Sequence, residues 1–356
     1  MAVPIEIPKI KPMARSLPLE LWPEADQHAW AIACQPARRL KRGGAAGHLK
    51  KVSRDDHAYH YGNFLGFLDR RGWLRRDEPA AASVTVENVD AYLAELKTRA
   101  SPMTVHGSIC KLRRAAKYTA PERDFDWLME IGKDLALVAV PRSKFDRLVL
   151  TEVLLEAGLA LIQEAENSPK ISKLARAKQV RNGLMVALLS LCPIRRKNFA
   201  ALEIGRSLVK IRNTWWIMLS PDETKERRAD ERPIDELLTP FIDRYISDHR
   251  PVLAWSHRAS PMLWLSSRKG TPLCDKAVAV VITQSTRFTV GVAVGPHLFR
   301  TSAASSAAIL SGENPNLGSA LLHHTHQSVT TAHYNRATSL RAGEDFRKIV
   351  RQYQKQ

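Results

Sequence analysis

The stretch GPHLFRTSAASSAAILSG, Gly295–Gly312, predicts a helix that presents two reactive side chains on one face. Pro296 stands where proline opens a helix, and Gly312 is a usual end signal. His297 and Arg300 are three residues apart, so they lie on the same face of that helix. The alanines and serines that follow allow close backbone packing, which would hold this face rigidly. Taken alone, a histidine–arginine pair on a protein surface explains these two residues equally well.

The segment after this helix is rich in histidine and contains one tyrosine in unusual surroundings. Five of the twelve histidines fall between positions 297 and 333, and ALLHHTHQSVTTAHYNRA contains four of them: His323, His324, His326 and His333. Imidazoles could hold a metal, but no nearby cysteine or carboxylate completes a usual ligand set, so no metal is expected. Tyr334 lies among polar and basic residues, whereas a tyrosine used for packing has apolar neighbours.

Upstream, LLSLCPIRRKNFAALE takes an apolar helix directly into a group of cations, Arg195, Arg196 and Lys197. Apolar character resumes at Phe199, and cations between two buried segments indicate that at least one points into a site. The alternative is a helix end carrying cations that favour its C-terminal dipole.

A change of period marks a small sheet further along the chain. SLVKI and TWWIML, separated by RN, predict a β-hairpin, with ERPIDE as a third strand. Lys225 follows the second strand in a turn, where a lysine is usually only a solubilising charge.

Two helices are predicted nearer the N-terminus. TVENVDAYLAELKTR has an N-cap candidate in Thr85 and a buried face at helical spacing. SPMTVHGSICKLRRAAKY opens with Ser101 and Pro102 in capping and first-turn positions. The second helix carries four cations that could lie against a DNA duplex or form a solvated face: Lys111, Arg113, Arg114 and Lys117.

Composition limits the class of protein. A chain of 356 residues is long enough for two domains, at about 150 residues each. Its net charge of +18 makes a polyanion the expected partner, because neutralised phosphates release condensed counterions. Four widely spaced cysteines predict neither a zinc motif nor disulfides. With no apolar run of membrane length and no signal core, we expect a cytosolic protein without a membrane partner.

Taken in order, these motifs resemble the tyrosine recombinase (phage integrase) family of enzymes that break and rejoin DNA. That family has an arginine after a buried helix, a lysine in a β-hairpin, an H-x-x-R motif, a later histidine or tryptophan, and a tyrosine nucleophile. The matching residues here are Arg195, Lys225, His297 with Arg300, His324 and Tyr334. Pro193 replaces the usual glycine of the first motif, and L-H-H replaces the usual L-G-H, which leaves His323 as the alternative to His324.

The resemblance implies a fold and a domain organisation. The fold would be mainly α with a small antiparallel β-sheet (α+β), combining a helical DNA-binding domain with a catalytic domain. We expect a basic arm or linker over residues 1–47, the SAM-like core-binding domain over 48–140 and the catalytic domain over 141–340. The tail at 341–356 would dock on a neighbouring protomer or fray.

The resemblance also implies a chemistry that needs neither metal nor ATP. Two arginines would clamp the phosphate, the histidines would bind it or move protons, and Lys225 would protonate the departing 5′ oxygen. Tyr334 would attack phosphorus and form a 3′-phosphotyrosine. A free phenol has a pKa of about 10, and surrounding cations favour its ionised form.

The implied function is site-specific recombination, such as integration or excision of a mobile element. Double-stranded DNA would be the partner, four protomers would assemble on two sites, and the protein would be cytoplasmic and associated with the nucleoid. The alternatives are a non-catalytic DNA-binding protein of the same fold and a type IB topoisomerase-like enzyme. A metal-dependent nuclease is disfavoured, because these motifs lack carboxylate clusters.

Overall fold

The computed structural model describes residues 15–39, 42–140, 145–225, 227–255 and 260–310, together with positions 317, 322 and 351. Internal contacts divide the chain into two compact units, Met1–Arg142 and Ser143–Gln356. The predicted fold class is confirmed, since the structure is mainly helical with one small antiparallel sheet. Among the described residues, no helix combines the length and apolarity that crossing a bilayer requires.

Unit 1 (Met1–Arg142) is built from helices. They are α1 (Glu24–Ala33), α2 (Lys51–Arg70), α3 (Val86–Arg99), α4 (Pro102–Thr119) and α5 (Trp127–Val138), preceded by a 3-10 turn at Leu19–Leu21. Both predicted caps are confirmed: the Thr85 hydroxyl accepts from the Asn88 N–H at 3.3 Å and that of Ser101 from the Thr104 N–H at 3.4 Å. These bonds satisfy N–H groups that a helix leaves without partners in its first turn.

Part of the N-terminal region is folded into unit 1, whereas the sequence predicts an arm. Its described part contains α1, and Trp22 and Trp30 are 2% and 5% exposed within the core of unit 1. Asp26 on the same helix accepts hydrogen bonds from the Tyr61 hydroxyl and the Ala81 N–H, and burial raises the pKa of its carboxyl group. Removing two indole rings from water stabilises this packing. The prediction of an arm was therefore wrong for the segment around α1.

Unit 2 (Ser143–Gln356) combines helices with a three-stranded antiparallel sheet. The helices are α6 (Thr151–Asn167), α7 (Lys173–Leu191), α8 (Arg196–Ala200), α9 (Thr239–Arg244), α10 (Arg250–Leu253), α11 (Asp275–Val290) and α12 (Pro296–Leu310). Short 3-10 turns lie at Phe145–Arg147 and Glu236–Leu238, and a π-helical turn at Tyr245–His249.

The sheet of unit 2 has the predicted strands. They are β1 (Leu208–Ile211), β2 (Thr214–Leu219) and β3 (Asp230–Pro233), antiparallel throughout and in the order β1-β2-β3. β2 alternates buried and half-buried residues, the pattern of a strand with one face on the core. The predicted hairpin and third strand are thus confirmed.

Helix α7 forms the centre of unit 2. Every residue from Gly183 to Ser190 is buried, as expected for a helix apolar on all sides. Its crossing with α6 is close because Gly158 and Gly183 face each other there: a methyl group on Gly158 would lie 2.6 Å from Ala187 N and 2.8 Å from Gly183 O. The close crossing therefore fixes the orientation of α7 and the position of its C-terminal end.

Substituting Gly158 by alanine is expected to destabilise unit 2. Because the new methyl group would meet backbone atoms, the helices must move apart, which costs about 1–3 kcal/mol. A lower urea midpoint at unchanged slope would show this. Gly107→Ala is the matched control: no described atom lies within 4 Å of its added methyl group, and α4 should gain up to about 1 kcal/mol from helix propensity. An unchanged midpoint for Gly158→Ala would contradict the close crossing.

Candidate functional site

Arg195 lies at a corner between two buried helices. α7 ends at Leu191, Cys192 to Ile194 are buried, and Arg195 occupies the N-cap position of α8 with an extended backbone. The far side of the corner is fixed by Trp264, whose Nε1 donates to the Phe199 carbonyl at 2.8 Å. Since both flanking segments are in the core, the backbone that carries Arg195 has little freedom to move.

Helix α12 carries the second pair of predicted site residues. It begins at Pro296, as predicted. His297 is exposed, whereas Arg300 is 8% exposed. Arg300 donates from Nη1 to the Pro193 carbonyl at 2.5 Å and from Nη2 to the Leu322 carbonyl at 2.7 Å. The Pro193 bond ties α12 directly to the corner that carries Arg195.

These two elements border a cleft of about 670 Å³ in unit 2. Six of its described lining residues carry or can carry positive charge: Arg147, Arg195, Arg196, Lys197, His297 and Arg300. None of the described lining residues is aspartate or glutamate. Arg196 is partly neutralised, since it pairs with Asp275 at 2.8 Å. Such a cleft attracts anions, and planar guanidinium groups match the oxygens of a phosphate.

The electrostatics of Arg300 show how crowded the positive charges are. The pKa of its guanidinium is lowered to about 10, first by burial and then by the neighbouring cations Arg195 and Arg232, while Asp230 acts in the opposite direction. Arg300 stays protonated at neutral pH, but it does so in a place where water solvates it poorly and other cations repel it. A bound anion would relieve that repulsion.

The other predicted site residues are not brought into this cleft by the described structure. Lys225 lies exposed in the turn between β2 and β3 and is not among the described lining residues. Beside it, the Thr224 hydroxyl accepts from the Arg228 N–H at 3.0 Å, which fixes the turn. His324, its alternative His323 and Tyr334 lie outside the described residues.

The histidines near the end of the sequence raise the question of a metal site. Within the described part of the chain, no group of three or more histidine, cysteine or acidic residues could hold a metal ion. His323, His324, His326 and His333, which raised that question, lie outside it.

Most of the predicted DNA-binding cations of α4 form ion pairs within unit 1. Three of them form ion pairs with carboxylates: Lys111 with Asp56 at 2.8 Å, and Arg113 and Lys117 with Asp126 at 2.7 and 3.9 Å. Arg114 lies exposed. A carboxylate competes with a phosphate for the same cation, so this helix offers DNA less charge than its sequence suggests. Its contact with DNA stays a prediction.

Three charged residues near the cleft were missed in the sequence. Arg147 lines it from the 3-10 turn before α6. Arg232 and Asp230 on β3 act on Arg300 electrostatically. Aligning the alternation of ERPIDE with that of TWWIML would have placed Arg232 on the inner face of the sheet, but Arg147 carries no comparable signal.

Comparison with solved structures finds similarity to several recombinases. XerH site-specific recombinase bound to difH substrate, in a pre-cleavage complex, matches with a TM-score of 0.53 and 13% identity over 79% of this chain and 76% of that chain. A lambda integrase(75-356) dimer bound to a COC' core site gives 0.49 and 13% over 82% and 90%. XerA recombinase gives 0.38 and 14% over 85% and 94%.

No protein-family model matches this chain, and no curated protein sequence matches it significantly. The likeness to XerH is therefore one of backbone architecture. On that architecture, the chain has the fold of the tyrosine recombinases.

Proposed function

We propose that the chain is a site-specific recombinase that breaks and rejoins double-stranded DNA through a 3′-phosphotyrosine intermediate. The observation that carries this proposal is the positive cleft, where Arg195 and Arg300 come together from segments far apart in the sequence. The XerH likeness supports it at the level of the fold.

Each step of the proposed reaction needs a residue type that the chain supplies. Tyr334 Oη forms a bond to phosphorus and the bond from phosphorus to the 5′ oxygen breaks. The phenol proton passes to a histidine of the site, His297 or His324, and the 5′ oxygen takes its proton from Lys225. Arg195 and Arg300 stabilise the charge that grows on the non-bridging oxygens.

The second half of the reaction reverses the first. A 5′ hydroxyl of another strand attacks the phosphotyrosine, restores a phosphodiester and releases Tyr334. Because the covalent intermediate conserves the bond, no ATP is consumed. Exchange between two duplexes requires several active sites at once. We therefore propose that four protomers assemble on two DNA sites. Integration or excision of a mobile element is the proposed use.

The test is covalent trapping of DNA by the wild-type protein. Fragmented genomic DNA carrying random nicks is incubated with the protein, and the reaction is stopped with a denaturing detergent. The product to look for is DNA covalently linked to protein, which disappears after protease treatment. A nick a few nucleotides to the 3′ side of the attacked bond lets the short fragment with the new 5′ hydroxyl diffuse away, so the adduct accumulates. Sequencing of the trapped ends should reveal one preferred site.

Other outcomes distinguish the rival functions. DNA binding without any adduct would support a non-catalytic DNA-binding protein. Relaxation of supercoiled DNA without exchange between two duplexes would support a topoisomerase-like enzyme.

Adduct formation is expected to proceed at an unchanged rate in excess EDTA. The proposed steps use side chains alone, so removing divalent ions should not slow them. The measurement compares adduct yield over time with EDTA, with EDTA plus excess Mg²⁺, and with neither. Loss of cleavage in the chelator, restored by Mg²⁺, would instead favour a metal-dependent nuclease.

A further inference from the structure

An aspartate–arginine ion pair lies on the inner face of the edge strand β3. Antiparallel pairing sets Asp230 opposite Leu219 and Arg232 opposite Ile217. Residues directly opposite each other in such a pair point to the same face of the sheet. Leu219 and Ile217 are 3% and 0% exposed, so both charged side chains point towards the protein interior.

The pair is well formed and almost removed from water. Arg232 donates from Nε to Asp230 Oδ1 at 2.5 Å and from Nη2 to Oδ2 at 3.0 Å. The two side chains are 11% and 14% exposed. A buried ion pair adds little net stability, because desolvation of both charges offsets their attraction, and apolar side chains of similar size are usually neutral or stabilising there. Stability of the fold alone therefore does not explain why charges stand at these positions.

The ion pair belongs to the electrostatic surroundings of the cleft. Burial lowers the pKa of Arg300 most, Arg232 lowers it further, and Asp230 opposes both. Burial raises the pKa of the Cys192 thiol to about 12, while Arg232 and Asp230 again act in opposite directions. The residue after Cys192 is Pro193, whose carbonyl holds Arg300. Arg232 is thus close enough to act electrostatically on both Arg300 and Cys192, although it is not among the described residues that line the cleft.

We propose that Arg232, oriented by Asp230, is a positioning residue of the phosphate site. Its guanidinium adds a fixed positive charge behind Arg300, repels that side chain towards the cleft, and stabilises the scissile phosphate as negative charge grows on it. Asp230 holds the Arg232 fork in place through both carboxylate oxygens. The inference rests on the proposed function, since it assigns Arg232 to the same reacting phosphate. A competing explanation is that inward charges on β3 only protect an edge strand from pairing with another chain.

A double substitution separates the two explanations. Asp230→Leu with Arg232→Met leaves the net charge of the protein unchanged and replaces the ion pair with apolar side chains, which the inner face of the sheet should accommodate. We expect wild-type thermal stability and DNA affinity, but adduct formation at saturating DNA about 10-fold slower, because Arg232 acts on Arg300 more strongly than Asp230 opposes it. Arg232→Lys keeps the positive charge but loses the two-pronged guanidinium contact with Asp230. Its cleavage rate should therefore lie between those of the double variant and the wild type. If the double variant cleaves at the wild-type rate, the pair has only a structural or protective role.

A substrate without charge on the reacting phosphate gives a second readout. Once the cleavage position is mapped, a methylphosphonate at that position removes one negative oxygen. The defect of the double variant should then shrink, because Arg232 has less negative charge to stabilise on the reacting phosphate. An equal defect on both substrates would overturn the proposal.

Lys210→Met is the matched control for these variants. Lys210 lies on β1, the opposite edge strand of the same sheet, and forms an ion pair with Asp243 at 2.7 Å. Its substitution removes one positive charge from the sheet and should leave the cleavage rate unchanged. If the wild-type protein itself traps no DNA, the proposed function fails and this inference fails with it. Normal trapping by wild type and by every Arg232 variant overturns the inference alone.

Discussion

Tyr334→Phe is expected to abolish the covalent protein–DNA adduct while DNA binding persists. The substitution removes one oxygen atom, and that oxygen is the proposed attacking atom, so adduct formation should fall by more than about 10³-fold. Binding depends on the phosphate contacts of the whole protein, which the substitution leaves in place. Denaturing gels with a nicked suicide substrate measure the adduct, and native gel shifts measure binding.

Tyr353→Phe is the matched control for this experiment. Tyr353 is the next tyrosine along the chain and lies well beyond the histidine-rich segment. Its substitution should leave the adduct unaffected. An adduct that persists in Tyr334→Phe and disappears in Tyr353→Phe would move the nucleophile to the tail. Persistence in both variants would mean that neither Tyr334 nor Tyr353 is the nucleophile.

Arg300→Ala is expected to have the second largest effect. Its guanidinium borders the cleft from α12, and loss of one donor to a developing oxyanion costs about 10²–10³-fold in rate. The substitution also leaves the Pro193 and Leu322 carbonyls without the hydrogen bonds that Arg300 now supplies. Single-turnover cleavage should therefore be measured well below the melting temperature of the variant and normalised to folded protein. Retained cleavage would remove this arginine from the phosphate clamp.

A second buried arginine provides the control for structural damage. Arg181 in α7 is 2% exposed and donates from Nη1 to the Leu265 carbonyl at 2.6 Å, but it is not among the described residues lining the cleft. Arg181→Ala should lower the melting temperature and leave the cleavage rate per folded molecule unchanged. Equal loss of cleavage in both variants would attribute the Arg300 effect to folding.

Much of the fold could be predicted because its signals are local. Thr85 and Ser101 stand three residues before the amides they cap, and the RN turn stands between strands whose alternation is visible in the sequence. Pro296 opens α12 for the same reason. The segment around α1 was not predicted, because the basic residues that follow it suggested an arm. The signal for packing was the pair of tryptophans that the core buries.

The sequence could predict only those site residues that stand in a recognisable motif. Arg195, His297 and Arg300 stand in recognisable motifs, and the structure places all three at one cleft. Ion pairs between distant residues have no such signature: Asp56 neutralises Lys111 from 55 residues away. The nearness of Arg232 to Arg300 likewise depends on how β3 packs, which neither segment encodes alone.

Within the described part of the chain, Arg300 is held by two neutral carbonyl oxygens, and this anchoring affects how the cleft responds to ionic strength. Dissolved salt screens the attraction between separated charges, and it drives DNA off a protein by making counterion release less favourable. Hydrogen bonds to buried carbonyls are far less exposed to such screening. A rise in salt should therefore release the duplex while the guanidinium keeps its orientation, so that the same cleft is ready again on dilution.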